Sequence, residues 1–214
     1  AARITSPIKT AKSHFNMIEL YTWSTPNGRK VSIMLEECAL PYNVHKINIG
    51  TNREQFDPDY LKINPNGKIP SIVDPDGPDG KPISMMESGA ILIYLADKTG
   101  RFFPQKTKYQ VLQWLMFQMG GVGPMFGQAH HFMRAKKDEI PYGSERYGNE
   151  AKRLYGVMDK HLAAKKFFAG EYSIADMAIY PWVARHEWHR VDLATVPNVK
   201  RWYDAVGARP AVVK

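Results

Sequence analysis

The spacing of apolar residues changes at one point in this chain, Arg101-Phe102-Phe103-Pro104, and that change limits the architectures open to it. Upstream, Ile18, Leu20 and Trp23 belong to an alternation of apolar and polar residues that begins at Met17 and predicts a strand. The turn Thr25-Pro26-Asn27-Gly28 follows. Val31, Met34, Leu35 and Cys38 then recur at i, i+3, i+4 and i+7, the spacing of one helix face, and Pro41 stops it. A second short strand is predicted over residues 44–49. Strand, helix and strand at this spacing form a right-handed crossover with parallel strands. Two more short apolar segments, residues 69–73 and 83–86, flank DPDGPDGKP, whose Asp-Gly and Gly-Pro steps mark a hairpin connection. A helix from Ser88 to Thr99 ends at Gly100. The order is βαβ and then ββα.

Downstream the spacing is helical. Tyr147, Ala151, Leu154, Tyr155, Met158 and Leu162 form one stripe of a helix over residues 146–162. Ser173 and Asp176 stand in the positions of a capping box, with Asp in place of the usual Glu. The sequence therefore predicts an α/β unit over residues 17–99, a linker at 100–105 and an all-α unit over 106–214, preceded by a basic tail at 1–16.

Composition narrows the partners. Lysine and arginine total 29 against 21 acids, a net charge of +8, which suits an anionic partner. The tail holds three of those charges and no acid, which leaves +5 for residues 17–214. The longest strongly apolar run, residues 89–96, is far below the ~20 residues of a membrane-spanning helix. The expectation is a soluble protein with no membrane partner. No zinc-finger or RNP-type aromatic signature accompanies the basic residues, so a nucleic-acid partner is not expected. A single cysteine rules out an intramolecular disulfide and a cysteine-built metal site within one chain, and fits a reducing compartment such as the cytoplasm.

Most catalytic signatures are missing. There is no G-x-x-x-x-G-K-[ST] loop, and Gly120-Gly121-Val122-Gly123-Pro124 lacks both the lysine and a preceding strand; its small residues suit close helix packing or a kink. Glu87-Ser88-Gly89 is not a G-x-S-x-G elbow. His130, His131, His186 and His189 lack metal-ligand spacing, so no metal is expected. Cys38 shares the apolar face of its helix and is expected to pack as a small hydrophobe.

The turn before that helix is more informative. In a thioredoxin-like unit the reactive groups sit where the first strand hands over to the first helix, and Thr25-Pro26-Asn27-Gly28 offers a hydroxyl, an amide and a helix N-terminus there, but no sulfur. Such a site can stabilise the thiolate of a ligand. The same four residues also make a good turn, with Asn27 as the helix cap. Two further segments bear on the choice. Asn66-Gly67-Lys68-Ile69-Pro70 leads into the third strand, where the proline is expected to follow a cis peptide and leave the Ile69 backbone open to an extended peptide. Glu87-Ser88-Gly89 opens the next helix, where Ser88 can hold a carboxylate, or simply cap the helix, and Glu87 can attract an ammonium. Together they describe a slot for a short acidic peptide with a thiol.

With TPNGRKVSIMLEE at 25–37, NPNGKIPSIVD at 64–74, ESGAILIYLADKTG at 87–100, GPMFGQAHHF at 123–132, IPYGSERY at 140–147 and YSIADMAIYPW at 172–182, the sequence resembles the glutathione transferase superfamily from Met17 to the C-terminus. It is most similar to the Nu class, bacterial proteins related to the fungal nitrogen-regulator type. The resemblance implies a thioredoxin-like domain, an all-helical domain and a homodimer. It implies that Thr25 hydrogen-bonds the glutathione sulfur with Asn27 beside it, that Gln55, Lys68, Ile69, Pro70, Glu87 and Ser88 bind the peptide, and that Arg146 reaches in from the helical domain. It also implies two glutathione molecules, or glutathione disulfide, per site, and reduction of small disulfides in preference to conjugation, with weak transferase or peroxidase side activity. One glutathione thiolate would attack the substrate disulfide and a second glutathione would resolve the mixed disulfide. Conventional conjugation to electrophiles, or glutathione binding without catalysis, are the alternatives on the same fold.

Overall fold

The computed structural model describes residues 17–214; the basic tail predicted at 1–16 lies outside them. Strand β1 (Ile18–Thr22) runs into helix α1 (Pro26–Glu37), and β2 (Tyr42–Lys46) returns parallel to β1, with Ile18 opposite Tyr42 and Thr22 opposite Lys46. A short helix, α2 (Pro58–Ile63), precedes β3 (Ser71–Asp74), which pairs antiparallel with both β1 and β4 (Ile83–Met86). The sheet order is β2-β1-β3-β4. Helix α3 (Ser88–Thr99) closes the unit at Gly100, whose φ of 67° is the left-handed conformation that ends a helix cheaply only at glycine.

Several expected bounds move, each for a local reason. β2 starts two residues early and ends at Lys46 because its register is set by β1, and the last backbone bond, from Ile47 N to Thr22 O, uses up the partner strand. β3 begins at Ser71, since Pro70 has no N–H to give a ladder. The polar stretch after β2 contains α2, opened by Pro58 at its first position and too short to carry a periodicity. Cys38 is not on the body of α1 but caps its C-terminus, half-buried, with Sγ 3.5 Å from Thr99 Oγ1.

The rest of the described chain is helical: α4 (Lys108–Phe117), α5 (Gly123–His130), α6 (Pro141–Leu162), α7 (Ile174–Val183), α8 (Pro197–Gly207) and α9 (Pro210–Val213). α6 begins five residues before the predicted Arg146, with Pro141 at its start and a first turn whose buried residues, Gly143 and Ser144, carry no apolar stripe. The glycine-rich stretch is a widened π-helical turn, Gln118–Val122, that joins α4 to α5. Ser173 and Asp176 make the predicted capping box. Asp176 is fully buried and also accepts from the indole of Trp202 at 2.8 Å and the amide of Phe168 at 3.1 Å, so one carboxylate ties α7 to α8 and to the preceding loop.

One apolar core runs through both parts. Val31, Met34 and Leu35 of α1 and Ile91, Leu92 and Leu95 of α3 pack under β1 and β3, and join Val111, Leu115, Met177 and Ala178 of the helical part. α7 lies along α1, which fixes the start of α1 against the helical domain.

Candidate active site

Sheet register decides what meets where. β1 and β2 end, β3 begins and β4 ends at one edge of the sheet: Tyr21 lies opposite Ser71, and Ser71 opposite Met86. The turn after β1, the Ile69-Pro70 segment before β3 and the Glu87-Ser88 start of α3 are thereby gathered at that edge.

Thr25 is the N-cap of α1. Pro26 at the first helical position keeps residue 25 extended (φ −129°, ψ 162°), and Thr25 Oγ1 accepts from Gly28 N at 3.1 Å. This corrects the assignment of Asn27 as the cap. The cap bond uses an acceptor lone pair and leaves the hydroxyl hydrogen free to donate. Asn27, one residue further, turns its Oδ1 to the indole N–H of Trp182 on α7 at 3.2 Å, so its amide N–H groups remain for another partner. Gly28 is required by the close approach of β1: a Cβ there would sit 2.4 Å from Thr22 Oγ1 and from Trp23 O.

Ile69-Pro70 is cis, and the Ile69 backbone has no hydrogen-bond partner among the described residues. The preceding carbonyl, Lys68 O, is held by Tyr60 Oη at 2.5 Å and Asn64 Nδ2 at 2.7 Å. The Lys68 side chain is exposed. Gln55 packs beside this segment, its backbone carbonyl 3.2 Å from where Gly67 would carry a Cβ, and its buried Oε1 has no partner among the described residues. Glu87 is exposed at a φ of 67°; Ser88 behind it is buried. An orphan amide oxygen, a free stretch of backbone, a free hydroxyl and the amides of two helix starts suit a peptide with a carboxylate and a thiol. Arg146 stands apart from this set, exposed on α6 in a cavity of about 490 Å³ that it lines with Met125, Tyr147 and Arg153.

Residues 25–98 match the model of the glutathione S-transferase N-terminal domain, and residues 124–210 that of the C-terminal domain. The chain is 49% identical over 199 residues to the disulfide-bond oxidoreductase YfcG of Escherichia coli strain K12, covering 91% of this chain and 92% of that protein. The chain belongs to the glutathione S-transferase family. A second relative of that bacterium, the disulfide-bond oxidoreductase YghU, is 40% identical over 91% of this chain and 72% of its own. Among solved structures, a glutathione transferase from Pseudomonas putida with one glutathione disulfide bound per subunit superposes with a TM-score of 0.89 at 46% identity, over 95% of this chain and 92% of that one. One from Burkholderia graminis with two glutathione molecules per subunit gives 0.87 at 47% identity, over 95% and 88%.

In this glutathione S-transferase the thiol stands away from the start of α1, and of the histidines His130 stacks behind Trp182, ring centroids 5.6 Å apart, engaged with His189. Cys38 lies thirteen residues along α1 from Thr25, about 20 Å at the helical rise, and burial pushes its thiol up. His130 and His189 are hydrogen-bonded Nε2 to Nε2 at 2.6 Å, with Tyr155 Oη 3.0 Å from the other nitrogen of His189. Burial, with Arg185 and Arg134 nearby, pulls His130 down to about 4, and burial with His130 pulls His189 to about 2, so both are neutral packing groups. Among the described residues no cluster of His, Cys, Asp or Glu could hold a metal, and no helix is long and apolar enough to cross a membrane. Sequence reasoning passed over Lys30, Gln118 and Trp182. Of these, Lys30 had a signal: it stands four residues before Met34, on the face that is otherwise apolar.

Proposed function

We propose that the protein is a glutathione-dependent disulfide-bond reductase of the Nu class that acts on small-molecule disulfides as a homodimer. One observation carries this reading: the start of α1 offers the hydroxyl hydrogen of Thr25 and an amide at Asn27 to a sulfur, while the one thiol of the chain is at the opposite end of the same helix. The sulfur therefore arrives with a ligand. The name of YfcG and the ligands of the two bacterial neighbours support the choice of glutathione and of disulfide chemistry.

In this reading Thr25 donates to the sulfur, Asn27 donates beside it, and the dipole of α1 favours the thiolate. Gln55 and Lys68 hold the glycyl end, the Ile69 backbone pairs with the cysteinyl backbone against Pro70, Glu87 holds the ammonium, and Ser88 with the first amides of α3 holds the γ-glutamyl carboxylate. Arg146 is assigned to glutathione on the resemblance alone. Glutathione supplies the thiol electrons: two glutathione molecules and one disulfide give two product thiols and one glutathione disulfide, so each site holds two glutathione molecules in turn or together. Exposed Tyr109 and Met116, seven residues apart on one face of α4, suit the subunit contact. The lone, half-buried cysteine suits a reducing compartment such as the cytoplasm.

The deciding experiment compares glutathione-dependent reduction of hydroxyethyl disulfide with conjugation of chlorodinitrobenzene by one preparation. Disulfide reduction is expected to dominate. Conjugation dominating would favour a conventional transferase, and binding without either turnover would favour a regulator. Sedimentation is expected to give twice the 24.4 kDa chain mass.

A further inference from the structure

Lys30 is 1% exposed, and among the described residues its ammonium has only neutral hydrogen-bond partners: Gln118 Oε1 at 2.6 Å, Ser88 Oγ at 3.2 Å and Met119 Sδ at 3.5 Å. The other buried charges of this fold are served differently. Asp74 meets Lys98 at 3.0 Å and Tyr94 Oη at 2.6 Å, and Asp176 has four donors around it. A buried charge without an ion-pair partner is costly; among the described residues no carboxylate forms an ion pair with this ammonium, Glu87 acting on it only from farther off, so its place against the first turn of α3 calls for an anion that is not part of the chain. The direction from which it comes is set by Ser88. Its Oγ accepts from Lys30 and its hydroxyl donates to Met119 Sδ at 3.8 Å, so what it leaves to an anion is its backbone amide, which with those of Gly89 and Ala90 has no acceptor within α3.

We propose that Lys30 is the buried counter-ion and positioning residue of the glutathione site: from beneath the first turn of α3 it holds Ser88 in place and balances the carboxylate bound at the amides there, so that ligand and proton bind together. This rests on the reading that glutathione binds at α3. In the free protein burial pulls Lys30 down to about 7. Among the described residues Glu87, the residue that precedes α3, is the one charge that acts on it, in the opposite sense. The Gln118–Val122 turn brings only Gln118 and Met119 to it, and from α7 and α9 no charge reaches it; on α1 itself Arg29 is exposed, while Glu36 and Glu37 are engaged by Lys214 and Arg209. A carboxylate on the turn favours the ammonium and raises Lys30 again. Near pH 7 the free protein is then partly deprotonated and the complex is not, so binding takes up a proton and weakens as pH rises.

The test uses S-methylglutathione, whose blocked thiol cannot ionise and so cannot cancel the uptake. Calorimetry at pH 7 in two buffers of different ionisation enthalpy is expected to give uptake of about half a proton per site, with the dissociation constant rising toward tenfold per pH unit above that. Lys30→Met should bind about ten- to a hundredfold more weakly, with no uptake and a flat pH profile. Lys30→Arg, which cannot titrate, should restore affinity without restoring uptake. A residue that only packed would change affinity and leave the proton count alone. Binding by the wild type without uptake overturns the proposal, as does uptake that survives in Lys30→Met; the wild-type arm decides even if a variant does not fold. A wild type that does not bind S-methylglutathione overturns the underlying reading, and this proposal with it.

Discussion

The indole N–H of Trp182 donates to Oδ1 of Asn27 at 3.2 Å, a bond between residues 155 positions apart that fixes the orientation of an amide in the thioredoxin-like part from a helix of the other. Once its oxygen is engaged, the Asn27 amide can only donate to whatever lies above α1. Trp182→Phe keeps the ring packed against His130 and removes that bond. A net hydrogen bond of about 0.5–1.5 kcal/mol corresponds to a loss of roughly twofold to tenfold in kcat/KM for disulfide reduction. Glutathione affinity should change less. Equal losses in an Asn27→Ala background would indicate that the indole acts elsewhere.

Thr25 does two things at once, and substitutions can separate them. Thr25→Ala removes the cap bond to Gly28 and the hydroxyl donor, so the melting temperature should fall by the equivalent of about 1 kcal/mol and the bound thiol should ionise at higher pH. Thr25→Ser keeps both oxygen functions and should restore stability and the thiolate titration, read from ultraviolet absorbance. An unchanged titration in Thr25→Ala would remove Thr25 from the chemistry and leave it a cap.

Cys38→Ala should leave disulfide turnover within about twofold of wild type, because the thiol is at the far end of α1 and burial keeps it protonated. The cost should appear in stability instead, at about 1 kcal/mol for the lost sulfur contacts with Met34 and Thr99. Loss of turnover at unchanged melting temperature would place the reactive sulfur on the protein.

How far these features were legible in the sequence depends on how local they are. α3 could be bounded to the residue, because Ser88 follows a strand and Gly100 supplies the one conformation that stops the helix. Thr25 and Asn27 both have side chains that can cap α1; Pro26 at the first helical position decides for Thr25, and that signal lies within the tetrapeptide. α2 is a single turn and a half with no period to detect. Asn27–Trp182 and Lys30–Gln118 join residues across the two domains, so no spacing within either segment could show them. A lysine on an apolar helix face reads as a break in the pattern until its partners are in view.

Asp176 is where the helical part depends most on one side chain. Its carboxylate accepts from Phe168 N, Ser173 N, Ser173 Oγ and Trp202 Nε1, all buried. Asp176→Ala leaves those donors without a partner, and at about 1–3 kcal/mol for each unsatisfied buried group even partial relaxation should cost about 3 kcal/mol or more. Chemical denaturation should register this as a lower midpoint, with activity per folded molecule unchanged.

Lys30 gives a pH signature in the absence of any ligand. Its folded value, about 7, is below the 10.5 of an unfolded lysine, so between those limits the unfolded chain binds more protons than the folded one. Stability contributed by this group therefore rises with pH through that window and is lost as pH falls through about 7. Lys30→Met has no such group. The stability of the wild type minus that of Lys30→Met should increase steadily from neutral pH toward pH 10, measured by denaturant unfolding at each pH. A difference that stays flat would mean the ammonium is fully charged in its pocket throughout, and would remove the basis for proton uptake on binding.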